Sequence, residues 1–217
     1  MPFSFEVIRE RIDRIADSVI AGGGVVQAMR MGAPAAEEQV AEAERRLGAE
    51  LPAGFRQVLL RCSGEFDFRW FLDEDAELPS PYGDIFRGEL GWSLARLPEI
   101  DEGRRNWVKE VFSNPDNEYD KVWQNKLAFM EVGNGDYLAL DLGEDDGPVV
   151  YLSHADGKGH GFVLGRNFID FLERGSRIGF VGPEDFQWVI FADSGHGGLN
   201  AEGHEAAGFR KLMGFEP

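Results

Sequence analysis

Two histidines and an aspartate form the most chemically suggestive cluster in this sequence. His154, Asp156 and His160 stand close together, and Ser153 adjoins the first of them. Imidazole and carboxylate groups bind zinc and move protons in hydrolases. Their spacings of two and four residues cross a glycine-rich loop, however, which does not hold side chains on one face as a helix does. We therefore predict solvent-exposed loop histidines, with a metal-dependent hydrolase as the alternative. The same interpretation applies to the other two histidines, His196 and His204.

A second cluster is an acidic turn that contains Asp141, Glu144, Asp145 and Asp146. An EF-hand calcium loop needs alternating oxygen ligands and a glutamate at its twelfth position. Counted from Asp141, that position is Leu152. We predict an exposed turn without a metal. No catalytic residue, metal ligand or cofactor is assigned anywhere in the sequence.

Cys62 is the single cysteine, so the chain cannot form an internal disulfide. It continues the apolar stripe of Phe55, Val58 and Leu59, where a buried small side chain is a better interpretation than a nucleophile. A chain without disulfides fits a reducing compartment, and we predict the cytoplasm.

Acidic and aromatic residues alternate between positions 65 and 77, where we place the candidate partner-binding surface. Aromatic side chains supply most of the binding energy at protein interfaces, while the surrounding charge sets association rate and partner choice. The alternative is that the aromatic residues belong to the core and the acids form a solvated face. The residues assigned to the surface are Glu65, Asp67, Trp70, Asp73, Glu74 and Asp75, together with Asp145 and Asp146 of the acidic turn.

The overall charge narrows the class of partner. Thirty-nine acidic residues against 22 basic ones leave a net charge of −17. Such a field repels phosphate backbones and anionic lipids, so we expect neither nucleic acid nor membrane as a partner. The sequence shows no run of about 18 uncharged apolar residues, the length that spans a bilayer. A basic protein partner is favoured, or the charge serves only solubility.

The N-terminal segment is predicted to be one amphipathic helix. Ile8, Ile12, Ile15 and Val19 recur at helical spacing over about residues 4–20. The glycines at 22–24 end this helix, and we interpret them as a flexible linker because no phosphate-binding motif follows.

Two helices are predicted next. The first begins near Pro34, buries Val40, Ala43 and Leu47, and ends at Gly48. The second begins at residues 51–52 and ends by residue 64. Residues 65–98 are harder to interpret beyond a half-buried strand at 66–70, and short helices are expected at 101–126.

A sheet follows residue 126. Strands at 127–132, 137–142 and 149–153 are joined by tight polar turns, which predicts an antiparallel meander with a fourth strand at 160–164. Later elements are a helix starting at residue 168, a strand at 187–191 and a final helix at 201–213. N-terminal helices, a central meander and C-terminal helices define an α+β fold.

Three blocks of this sequence resemble the Smi/Knr-type family of the SUKH superfamily. They are the helical hairpin at 34–64, the central hairpin at 133–151 and the helix at 168–172, and the end at 182–215 is similar to some bacterial members. The residues that we assign to the structural motif are Glu44, Leu51, Pro52, Gly64, Gly135 and Asp141. We divide the chain into an N-terminal segment, 1–33, and a SUKH-like domain, 34–217.

The resemblance implies a non-enzymatic binding fold. Bacterial members are associated with immunity proteins that neutralise polymorphic toxins, often nucleases, and fungal relatives regulate cell-wall synthesis. We therefore predict an immunity protein for a cognate, basic toxin. The alternative is a regulatory or scaffold module without a toxin partner, and the oligomeric state stays open.

Overall fold

Two main antiparallel sheets carry the fold in a computed structural model that describes residues 4–155, 157–193, 195 and 197–215. The helices in these ranges are α1 (Phe5–Ala21), α2 (Glu37–Leu47), α3 (Ala53–Arg61), α4 (Leu97–Glu110), α5 (Glu118–Trp123), α6 (Phe168–Arg177), α7 (Asp185–Trp188) and α8 (His204–Met213). The strands are β1 (Val25–Met31), β2 (Glu65–Phe71), β3 (Arg87–Ser93), β4 (Lys126–Glu131), β5 (Tyr137–Asp141), β6 (Val149–Leu152), β7 (Val163–Gly165), β8 (Ala192–Asp193) and β9 (Gly198–Leu199). This arrangement confirms the predicted α+β fold.

The first sheet has the order β1-β2-β3. The predicted alternation in β2 is confirmed, because Phe66, Phe68 and Trp70 are all buried while the residues between them are not. Helix α1 packs against β1 and β2. Its four predicted apolar residues, Ile8, Ile12, Ile15 and Val19, are buried.

The prediction of a flexible linker after α1 is wrong, because residues 22–24 form a tight turn that leads straight into β1. Gly24 lies so close to the chain that a Cβ atom on it would be 2.5 Å from the carbonyl oxygen of Phe71. Strand β1 then pairs with β2 along its length, with a bulge between Val26 and Ala28. Composition could not show this strand, because its stability depends on a partner some forty residues away.

Helices α2 and α3 confirm the predicted hairpin. Val40, Ala43 and Leu47 form the buried face of α2, and Gly48 ends it with a φ of 69°. Positive φ is the conformation that glycine adopts without strain at a helix C-terminus. Cys62, at the end of α3, is partly buried, and burial raises the pKa of its thiol to about 11.

The second sheet has the order β4-β5-β6-β7 and is the predicted meander. Nearly every residue of β4, β5 and β6 is buried, because both faces of the sheet are covered. One face contributes Phe129, Leu138 and Tyr151 to the main core. The other face packs against a smaller aromatic cluster that includes Trp107 of α4 and Trp123 of α5.

The C-terminal part contains one further correction. Residues 187–191 were expected to form a strand, but they belong to α7 and to a short 3-10 helix, Val189–Phe191. A short apolar run has no periodicity that separates a strand from a helix. Here the buried apolar residues, Trp188 and Phe191, are three positions apart, which is helical spacing.

One apolar core joins the N-terminal helix to the rest of the chain. Phe168 of α6 lies at its centre, with its ring centroid 4.6 Å from that of Phe55 and 5.3 Å from that of Phe129. The buried residues of α1 belong to the same cluster. The division of the chain at residue 33 therefore stays a prediction. Within the described residues, no helix is both long enough and apolar enough to cross a membrane.

Candidate functional site

The predicted partner-binding segment separates into residues that face the core and residues that face solvent. Trp70 is fully buried, and its Nε1 donates a hydrogen bond to the carbonyl oxygen of Gly179 at 2.7 Å. It cannot contact a partner, so its assignment to the binding surface is corrected. Its neighbours Phe66 and Phe68 are core residues as well. Strand alternation had shown that these aromatic residues share a face, but not that a helix would cover it.

The outer face of the first sheet carries a network of ion pairs. Asp67 accepts hydrogen bonds from Arg30 at 2.6 Å and from Arg69 at 3.0 Å. Burial alone would raise the pKa of Asp67, but these arginines outweigh it and leave the pKa lowered. Arg87 extends the network to Glu89, with 3.4 Å between Nη1 and Oε2, and burial raises the pKa of Glu89.

This network lies in an open groove of about 540 Å³ between the first sheet and the end of β4. Glu65 is exposed at one end of the groove, where it also borders a second cleft along α2. The charges in the groove are largely paired with one another. The groove therefore offers little net attraction to a charged partner, although Glu65 remains accessible.

A concentration of negative charge lies on the acidic loop, residues 72–86, which joins β2 to β3. This loop carries five acidic residues and no lysine or arginine. All five are exposed: Asp73, Glu74, Asp75, Glu77 and Asp84. A loop with one sign of charge concentrates a negative potential at one place on the surface.

The acidic loop is held in a defined shape. Asp73 accepts hydrogen bonds from the backbone amides of Asp75 at 2.9 Å and Ala76 at 3.0 Å. From the inside, Tyr82 donates its hydroxyl to the carbonyl oxygen of Glu205 at 3.0 Å, and Ile85 is buried. The carboxylates are thus presented on a structured loop.

Asp145 and Asp146, in the turn between β5 and β6, cap the N-terminus of α3. The Asp146 carboxylate accepts from the amide of Gly54 at 2.7 Å and from the side chain of Asn167 at 2.9 Å. The carbonyl oxygen of Asp145 accepts from the amide of Ala53 at 3.0 Å. These two amides belong to the first turn of α3, where a carboxylate is favoured by the helix dipole. Asp146 is therefore a structural residue, while the Asp145 side chain stays exposed.

The structural-motif residues of the helical hairpin join its parts together. Glu44 of α2 accepts a hydrogen bond from the amide of Leu51 at 3.1 Å, and Leu51 is buried. Pro52 occupies the N-cap position of α3. Gly64 donates its amide to Ala33 at 2.9 Å, in a place where a Cβ atom would be 3.3 Å from that of Ala35.

The motif residues of the meander shape its two turns. Gly135 has a φ of 95°, a conformation that other residues rarely adopt. Asp141 accepts a hydrogen bond from the amide of Gly143 at 2.9 Å and pairs with Lys126 at 3.0 Å. Both residues act on the local backbone.

Asp136 is a buried carboxylate that sequence reasoning missed. It accepts hydrogen bonds from the Tyr151 hydroxyl at 2.6 Å, from Asn134 at 2.9 Å and from the His154 amide at 2.8 Å, and its Oδ1 lies 2.7 Å from His154 Nδ1. Burial alone would raise the pKa of Asp136, but these donors leave it lowered. The only signal in the sequence was an aspartate directly after the turn glycine.

The two histidines near residue 154 are not the exposed side chains that we predicted. His154 is half-buried against Asp136, and His160 accepts from the amide of Ser153 at 3.1 Å while its ring stacks on Tyr119 at 3.7 Å between centroids. The described residues contain no group of three potential metal ligands. Asp156 and His196 lie outside the described residues.

The hydrogen bonds of Asp136, His154 and His160 hold the loop that follows β6 against the second sheet. The Ser153 hydroxyl oxygen accepts from the amides of Ala155 at 3.3 Å and Gly157 at 3.0 Å, so it faces its own loop and not His154. The geometry around Asp136 and His154 thus supports a structural role.

The sequence model of the SMI1 / KNR4 family (SUKH-1) matches residues 34–174, well over half of the chain. A search of curated proteins by sequence found no match. The matched region runs from the start of the helical hairpin into α6, so α1 and β1 precede it and α7 and α8 follow it. Domains of this family are generally non-catalytic modules that interact with proteins. The chain belongs to the SMI1 / KNR4 family (SUKH-1).

Proposed function

We propose that this protein is a non-enzymatic immunity protein that binds and neutralises a basic toxin domain, such as a nuclease, in the cytoplasm of a bacterial cell. One observation carries the proposal beyond the family: the acidic loop exposes five carboxylates and no base. The predicted residues Asp73, Glu74 and Asp75 lie there. Glu65 and Asp145 contribute exposed negative charge elsewhere on the surface, whereas the charge of Asp67 is already paired with Arg30 and Arg69.

Electrostatics gives this loop a role in the encounter with a partner. Nucleases bind phosphate and therefore present basic surfaces. Charge complementarity raises association rate constants to about 10⁸–10⁹ M⁻¹s⁻¹ at low salt, against about 10⁵–10⁶ without it. The net charge of −17 adds a long-range field of the same sign. An inhibitor must capture a toxin before the toxin acts, so a fast association is useful.

The test uses the protein encoded beside this protein's gene, which the proposal expects to carry a toxin domain. We expect co-expression to rescue growth, and a titration of the purified toxin to abolish its activity at one equivalent. A toxin domain from an unrelated pair should stay active in the same assay. If the neighbouring toxin remains active at excess protein, the immunity proposal is wrong and a regulatory or scaffold module without a toxin partner is favoured.

A further inference from the structure

Two phenylalanines far apart in sequence form an exposed aromatic pair beside the acidic loop. Phe86 ends the loop, and Phe186 lies in α7. Their rings stack with 6.3 Å between centroids, yet 46% of Phe86 and 48% of Phe186 remain exposed. A single exposed apolar residue is ordinary, but a stacked pair presents a continuous apolar surface.

The pair is held in place by a buried polar side chain. Gln187 is fully buried, and its Oε1 accepts from the backbone amides of Phe86 at 3.2 Å and Arg87 at 3.3 Å. Its Nε2 donates to Glu184 at 2.8 Å. Because Gln187 follows Phe186 directly, this clamp holds together the backbone segments that carry the two rings before any partner arrives. Preorganised side chains lose less entropy on binding.

Arg87 stiffens the same region. Its guanidinium group lies 5.9 Å from the centre of the Phe86 ring and 5.8 Å from that of Phe71. It also donates to Glu184, so the arginine charge is already paired. The loop that leads into Phe86 carries acidic residues and no lysine or arginine, so the charge that it offers a partner is negative.

Half of this surface lies outside the part of the chain that matches the family. The match ends at residue 174, and Phe186 and Gln187 come after it. Phe86 lies inside the match. The surface therefore requires a segment that lies beyond the family match.

We propose that Phe86 and Phe186 are the apolar anchor of the binding surface, and that their occupant is a basic protein which seats an apolar side chain on the two rings. This inference rests on the proposed function, because the same partner is meant. The argument for this occupant is charge complementarity: an aromatic centre with an acidic border matches an apolar residue among lysines and arginines. Aromatic residues at the centre of an interface govern dissociation, whereas charges at its border govern association.

The test does not need the toxin. A displayed library of random peptides is selected on the purified wild-type protein, and the enriched peptides are then measured against a Phe86→Ser/Phe186→Ser variant. We expect the surviving peptides to contain a large apolar residue flanked by lysine or arginine. By fluorescence anisotropy they should bind the double variant at least about tenfold more weakly than the wild type, as is typical when central aromatic residues are truncated.

One control variant and one charge variant make the result specific. Val111→Ser removes an apolar residue that is 53% exposed on another part of the surface, and it should bind like the wild type. An Asp73→Asn/Glu74→Gln/Asp75→Asn variant should associate more slowly. If peptide binding is weakened only in the phenylalanine variant, the result supports the anchor and contradicts the electrostatic proposal. If peptide binding is weakened only in the acid variant, the result supports the electrostatic proposal and contradicts the anchor. Circular dichroism and thermal unfolding verify that each variant is folded.

Three outcomes would overturn the anchor. The first is that the selected peptides bind the wild type and the double variant within twofold of each other. The second is that the selection yields acidic peptides or none. The third is that the wild type sediments as a dimer while the double variant sediments as a monomer, because the rings would then be a contact between two copies of this chain.

Discussion

Asp136 is a buried, hydrogen-bonded carboxylate of the meander. Its carboxylate ties the turn before β5 to Tyr151 of β6 and to the backbone of His154. Hydrogen bonds to both oxygens of a buried carboxylate stabilise its ionised form. The lowered pKa of Asp136 therefore means that the charged group contributes to stability.

We expect Asp136→Asn to lower the free energy of unfolding at pH 7 by about 2 kcal/mol, because an amide cannot accept from all of these donors. The sign of the pH dependence follows from the lowered pKa. The contribution of Asp136 is complete above the unfolded-state pKa of about 3.9 and is lost as pH falls through the lower folded-state value. The difference in stability between wild type and variant should therefore shrink in acid.

Urea unfolding at several pH values measures this effect. Asp116→Asn is the control, since Asp116 is exposed and its variant should match the wild type throughout. A stability difference between wild type and Asp136→Asn that stays constant down to pH 2 would contradict the assigned role.

The local sequence pattern could not predict the burial of Trp70 or the hydrogen bonds of Asp136. Trp70 was placed on a partner surface because strand alternation shows which residues share a face, and not which face is covered. Asp136 was missed because its donors come from residues up to 18 positions away. Burial and long-range hydrogen bonding are set by the whole fold.

At the scale of elements, the N-terminus of α3 depends on a turn in the second sheet. Asp146 supplies the carboxylate that satisfies the amide of Gly54, while Asp145 supplies only a backbone oxygen. Removal of a side chain that caps a helix costs about 0.5–2 kcal/mol.

We expect Asp146→Ala to destabilise the protein by about 1 kcal/mol, the usual cost of a lost cap. Asp145→Ala is the matched control and should have little effect, because its carbonyl oxygen remains. Urea unfolding of the two variants decides the point. Equal stability of the two variants would show that the carboxylate does not act as the cap.

The regular elements were the most predictable part of the fold. Helical periodicity predicted the buried faces of α1, α2 and α3, and turn residues predicted the meander. By contrast, β1 and β3 were not predicted, and the glycines directly before β1 were interpreted as a flexible linker. Both strands belong to the first sheet, whose pairing joins distant segments and leaves little trace in local composition.

At the scale of the whole molecule, the negative charge is unevenly distributed. Residues 1–30 contain four acidic and four basic residues, so the net charge of −17 lies beyond them. The acidic loop alone contributes five negative charges over fifteen residues. The composition predicted a basic partner, and the location of Asp73, Glu74 and Asp75 on an exposed loop supports that prediction. The aromatic pair beside the loop was not foreseen, because its rings come from positions one hundred residues apart.

The rate of association with the basic toxin domain tests the central claim most directly. The loop variant Asp73→Lys/Glu74→Lys/Asp75→Lys is compared by stopped flow with Glu102→Lys/Glu110→Lys/Asp116→Lys, which has the same net charge and alters exposed acids elsewhere. We predict that the loop variant associates at least about tenfold more slowly than this control at low salt and shows a flatter salt dependence. Equal association rates for the two variants would contradict the account.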